Sequence, residues 1–333
     1  MLPESKNDFP KCLYLDQNKW IDLARAHYGK PEGVKFQPCL QIIRAAIKAG
    51  TLIVPFGVWN AIESMISGDE GRRKRLAEFM VDLSGNKTVS PENVVAPMEI
   101  VNATRQLFGM PATEAPRKSL VHVGIIHAFG MGQEIQDAFP PILNAAFSAF
   151  METPEATIKF LLDSGDKRDQ IKAAQGGEAR ARDIFESDRA VTGNMSLVER
   201  QRAELFGLFS KNDEYRTALE TTLKAIGRTG AGFKAEMGSD EKLKQFVASI
   251  PNFDVFITLR IEREKDKDRK VDHNDIRDLD WLSVAVPYSN VIVSEQYWGK
   301  KAQTTGLAAK YSTVLLTDLQ ELPSRLSAMG WIG

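Results

Sequence analysis

Apolar and polar positions along the first ninety residues fall into short alternating blocks. "KCLYL", residues 11–15, is a compact apolar run of strand length that stops on Asp16, and from Asn18 onward Trp20, Ile21, Leu23 and Ala24 recur at helical spacing. The pattern predicts a strand near 11–16, a helix near 18–28 and a second helix near 39–49. "TLIVPF" follows as a short buried strand of β-branched residues bounded by Gly50 and Gly57. "VWNAIESMIS" and "DEGRRKRLAEFMVDLSG" then read as two helices, the second ended by Gly85.

The last sixty residues repeat this grammar. "NDIRDLDWLSVAVPY" has helical spacing through Ile276, Leu279, Leu282 and Val286 until Pro287 stops it, and "NVIVSE" is a buried strand ending on an acid. "EQYWGKKAQTTGLAAKY" reads as a helix, "TVLL" as a strand and "LQELPSRLSAM" as a closing helix. Strands alternating with helices at both ends predict one α/β domain made of residues 11–90 and 270–330, a mostly parallel sheet sandwiched by helices. Between them the texture changes to long mixed-charge helical stretches with Gly-rich breaks at 176–177 and 227–232, without internal repeats. Residues 91–269 are therefore expected to form an inserted helical subdomain.

Composition narrows the chemistry. The chain has 333 residues, 43% of them hydrophobic, enough for a substantial core. The balance of 43 basic and 44 acidic residues gives no global attraction to nucleic acid, so any such binding must rest on a local patch. With two cysteines, Cys12 and Cys39, and four scattered histidines, a metal site would have to be built mainly from carboxylates. The start lacks the pattern of a secretory signal and no run approaches eighteen uncharged apolar residues, which predicts a cytoplasmic protein that does not enter a membrane.

Five acids stand where such a site could form. Asp16 and Glu295 end predicted strands, the position where open α/β sheets bind ligands. Glu63 lies in the helix after the second strand, and Asp275 and Asp278 lie one turn apart at the start of the helix leading to "NVIVSE". Magnesium or manganese takes such oxygen ligands, whereas clustered carboxylates without a cation raise one another's pKa. Each acid also has a plainer reading. Asp16 can cap the following helix, Glu63 can be an exposed helix residue, and Asp275, Asp278 and Glu295 can stabilise helix N-termini through the helix dipole.

With "LDQNKW" and these acids, the chain resembles the PIN-domain nucleases, including toxin-type and PIN-like proteins. Their pattern is an Asp at the end of the first strand, often in D-x-N, a Glu in an early helix, an acid beginning a late helix and a final Asp ending the strand after it. The resemblance puts Asp16, Glu63, Asp278 and Glu295 in those roles as catalytic metal ligands, with Asp275 competing for the third position and Asn18 as an outer group orienting a water. It departs in carrying Glu295 in place of the final Asp and in the length of the segment between the second and third acids. What it implies is magnesium- or manganese-dependent phosphodiester hydrolysis by an endoribonuclease, with RNA as substrate and DNA left open. The alternative is a non-catalytic PIN-like module whose helical insertion binds a protein partner; in either case a homo-oligomer or a regulatory protein partner is expected as an option. Basic runs at 72–75, "RRKR", and 262–270, "EREKDKDRK", flank the acids and would suit a phosphate backbone, although the second alternates in sign as a solvated helix does. Trp20, Trp59, Trp281 and Trp298 lie near the acids in sequence as base-stacking or core residues.

Overall fold

The computed structural model describes residues 10–66, 69–131, 141–163, 195–266, 269 and 273–331. The chain divides into two compact units, one comprising Met1–Pro91, Val121–Ala174 and Tyr288–Gly333, the other Glu92–Leu120 and Gln175–Pro287.

The first unit is α/β. Its four-stranded parallel sheet has the order β2-β1-β5-β6, with β1 at Lys11–Leu15, β2 at Leu52–Ile53, β5 at Val291–Val293 and β6 at Val314–Leu316. In β1 and β5 nearly every side chain is buried, which is why both read as unbroken apolar runs: a parallel sheet is covered on two faces. Leu13, Tyr14 and Leu15 pair with Val291, Ile292 and Val293. Helix α1 (Gln17–His27) and helix α2 (Gln37–Lys48) pack in one core with Leu13, Leu15, Val291, Val293 and Leu316. The Gln296–Thr304 helix lies on the opposite face, where a Cβ on Gly299 would meet Leu315, whose side chain alternates with Leu316. Right-handed crossovers running outward in two directions from β1 and β5 require this division of the helices.

Two further helices, α3 (Val58–Ile66) and α4 (Glu70–Ser84), follow β2. Asp69 caps α4 and Gly85, at φ 60°, ends it in the left-handed region that glycine enters without strain. The expected helix over 295–311 is two, Gln296–Thr304 and Leu307–Lys310, because Gly306 adopts φ 77° between them. Pro287 lies inside the last turn of the His273–Tyr288 helix, so that helix ends one residue later than its proline suggests.

The second unit is helical, with a core built from Ala96, Ile100, Leu205, Phe209, Leu243, Phe253 and Ile257, among others. The boundaries differ from the expected 91–269. Residues from 121 return to the α/β unit because β4 (Val121–Val123) pairs antiparallel with β3 (Lys87–Val89), and because the Pro154–Leu162 helix packs on α4. Conversely, the helix carrying Asp275 and Asp278 falls within the helical unit up to Pro287. The Gly-rich break at 176–177 lies outside the described residues; that at 227–232 begins after the Asp213–Ala225 helix and runs into the first turn of the Gly230–Glu236 helix.

Candidate functional site

The strand order reverses between β1 and β5, since the chain leaves β1 for β2 on one side and β5 for β6 on the other. In open α/β sheets the crevice at the carboxyl ends of such a strand pair is where ligands bind. Asp16 and Glu295 stand there. The Asp16 peptide N–H donates to the Val293 carbonyl at 3.0 Å, which ties the end of β1 to the end of β5 and brings Asp16 beside the segment bearing Glu295.

Asp16 is 8% exposed, with extended backbone at the N-cap of α1, yet its side chain makes no capping hydrogen bond. Its Oδ2 is buried without a hydrogen-bond partner. Burial pushes this carboxyl up to about 6 and the nearby Glu295 charge adds to the rise; backbone hydrogen bonds from Gln17 and Glu295 and the Lys19 ammonium pull the other way. Glu295 is exposed and precedes the Gln296–Thr304 helix, again with no side-chain cap. Its Oε1 accepts from Asn18 Nδ2 at 2.8 Å. The plain capping role is therefore filled by neither acid's side chain, and Asn18 acts on Glu295 directly.

Two sets of neighbours were not singled out from the sequence. Lys19 Nζ donates to the Thr317 carbonyl, just after β6, at 3.2 Å. Because β5 lies between β1 and β6, this side chain crosses the carboxyl end of the strand that Glu295 follows. Behind Asp16 a chain of buried polar groups joins β1, α1 and α3. Gln17 Nε2 donates to Ser64 Oγ at 2.9 Å, Asn60 Nδ2 to Gln17 Oε1 at 3.2 Å, and the Tyr14 hydroxyl to Asn60 Oδ1 at 3.3 Å. The sequence signal for it is present in retrospect: Asn60 and Ser64 sit four apart on the buried side of a helix, beside Ala61 and Met65.

Glu63, half-buried on α3, belongs to the same unit. Its charge reaches the Tyr14 hydroxyl, whose pKa is raised first by burial, then by Asp16, Cys12 and Glu63. Asp275 and Asp278 belong to the helical unit. Asp275 is fully buried, and its two oxygens accept from Arg263 Nε at 3.0 Å and Arg269 Nη2 at 2.8 Å. It is an ion-pair residue of the helical unit, with one charge-assisted hydrogen bond on each carboxylate oxygen. Asp278 is partly exposed and accepts from the Trp281 indole at 3.0 Å.

The structure thus gathers Asp16, Asn18, Lys19 and Glu295 at one edge. Among the described residues no group of three or more His, Cys, Asp or Glu side chains is arranged to hold a metal ion. The basic run at 72–75 does not flank this edge. Its Arg75 carbonyl accepts from the hydroxyl of Tyr28, which lies at the far end of α1, about 18 Å along that helix from Asp16. In the run at 262–270, Glu262 pairs with Lys265 and Glu264 with Arg200, while residues 267, 268 and 270 lie outside the described residues. Trp20, Trp281 and Trp298 are core residues, and Trp59 is partly exposed. Among the described residues no helix is long and apolar enough to cross a membrane. No protein-family model, curated protein or solved structure matches this chain.

Proposed function

We propose that this protein is a divalent-metal-dependent phosphodiester hydrolase acting on RNA. The observation that carries the reading is Asp16: a carboxylate fixed at the end of a central strand, buried, with one oxygen unpartnered and its pKa raised beside Glu295. Such a pair is unfavourable by itself and becomes favourable when a hard cation takes the spare oxygen. Asp16 and Glu295 fit magnesium or manganese by donor type, with Glu63 of the same unit as a further candidate from the resemblance to PIN-domain nucleases; the choice of RNA rests on that resemblance alone.

A bound cation would supply Lewis acidity, polarising the phosphoryl oxygen and favouring deprotonation of the attacking water. The protein's own residues do the placing. Asp16 is immobilised by β1 and the backbone bond to Val293, Asn18 holds the longer and exposed Glu295 side chain in one orientation, and Lys19 fixes a positive charge nearby. In the reaction the water oxygen bonds to phosphorus and the bond to the leaving oxygen breaks; the water releases one proton to solvent and the departing oxygen takes one up. The test is manganese-dependent cleavage of single-stranded RNA and DNA, with Asp16→Ala purified in parallel and a chelator control. Asp16→Ala is expected to lose at least ~100-fold, about 2.7 kcal/mol of transition-state stabilisation. Equal cleavage by wild type and variant refutes the reading.

One observation favours a second reading, a non-catalytic module that binds a protein partner: among the described residues no three His, Cys, Asp or Glu side chains are arranged to hold a metal ion. That module would show neither manganese binding nor chelator-sensitive cleavage.

A further inference from the structure

Lys19 has a place at this edge that a surface helix residue would not need. It lies one turn after Asp16 and is half-buried, and its ammonium is anchored by the Thr317 carbonyl across the end of β5. An ammonium has three N–H donors, so this anchor leaves two for a ligand. Its charge reaches Asp16, where it opposes Glu295. Asp16, Glu295 and Lys19 together carry one net negative charge. One divalent cation turns that into a modest positive charge, suited to a phosphodiester. A second would crowd two dications and an ammonium into a partly buried edge holding two carboxylates, where like charges repel strongly. In two-cation hydrolysis the second ion neutralises charge developing on the phosphoryl group, and a fixed ammonium can serve the same end.

We propose that the Asp16–Glu295 site takes a single divalent cation and that Lys19 supplies the second positive charge, contacting a non-bridging oxygen of the substrate phosphate. This rests on the hydrolase reading above and goes beyond it in naming the cation count and the phosphate contact. Asn18 and Lys19 then divide the labour: the amide orients the exposed carboxylate, and the ammonium faces the substrate.

The experiment is calorimetric titration of manganese into the full chain, wild type, Lys19→Met, Lys19→Gln and Lys19→Arg, each checked for folding by circular dichroism, alongside kcat and KM on a single-stranded RNA oligonucleotide. Wild type should bind one manganese per chain. Lys19→Met should bind it as tightly or a few-fold more tightly, since a repelling charge is gone, while kcat falls by ~100-fold or more. Lys19→Gln, which keeps a donor for the Thr317 carbonyl, should fold in any case and show the same opposed movements. Lys19→Arg should recover most of the loss. A structural role would lower metal binding and activity together, so parallel losses in Lys19→Gln overturn the inference. So do two manganese ions per wild-type chain, or a kcat for Lys19→Gln within about threefold of wild type. A wild type that binds no manganese overturns the hydrolase reading and this inference with it, whereas the other negative results overturn the inference alone.

Discussion

Asp16→Asn should make the metal-free protein more stable above pH 7 and leave it no more stable at pH 4. The sign follows from linkage. Burial and Glu295 raise the Asp16 pKa from the ordinary 3.8 to about 6, so between those values the folded chain holds a proton that the unfolded chain releases. Stability then falls as pH rises through that window and stays at the lower level above it. At about 1.36 kcal/mol per pH unit, the interval is worth about 3 kcal/mol. An asparagine keeps one acceptor for the backbone donors at Gln17 and Glu295, and its amide N–H₂ takes the position of an oxygen that had no partner, at a cost of about 1 kcal/mol. The expected net gain is about 2 kcal/mol at pH 8. Native-state hydrogen exchange of the β1 and β5 amides in chelator reads this locally, without assuming that both units unfold together. Manganese should then stabilise wild type more than the variant, because a cation that binds only the folded state adds its binding free energy to stability. A variant less stable than wild type at pH 8, or a difference that does not change between pH 4 and pH 8, would refute the account of Asp16 as a destabilised carboxylate.

Two other perturbations test the frame around the site and the ion pairs of the helical unit. In Gly299→Ala the new Cβ would lie 2.6 Å from Thr317 Cγ2 and 2.7 Å from Ser294 Oγ, so the Gln296–Thr304 helix must shift from the sheet, with a loss of about 1–3 kcal/mol that a thermal melt should show; an unchanged melting temperature would contradict this packing. Arg263→Met strips one partner from the fully buried Asp275 and should cost about 3 kcal/mol in urea unfolding, most of it recovered in Arg263→Met/Asp275→Leu, since replacing both charges leaves none buried alone; a double variant as weak as the single one would mean that the loss comes from packing.

What could be read from the sequence was whatever a short window decides by itself. "KCLYL" and "NVIV" are apolar on both faces because their strands are covered on both faces, and Gly85 ends α4 through its own backbone freedom, so all three were visible locally. Strands β3 and β4 were not. Each is three residues long, "KTV" and "VHV", and they exist because they pair with one another and because the Phe56 peptide bridges to Thr88. The same division runs through the site. Asp16 and Glu295 each announced themselves as an acid at a strand end, but their proximity depends on β1 pairing with β5, a contact between distant parts of the chain. Asp275 and Asp278 looked interchangeable because one turn of helix separates them; a buried arginine on the Pro251–Glu264 helix, invisible to spacing, assigns the first to an ion pair. Lys19 is the sharpest case. Within its own helix it is an ordinary lysine at the third position, and nothing near it in sequence marks it. Only the strand order β1-β5-β6 turns its reach to Thr317 into a bridge over the end of β5. A residue acquires chemistry here when the sheet carries a distant strand end to it, so local windows can nominate the acids while the topology selects their partners.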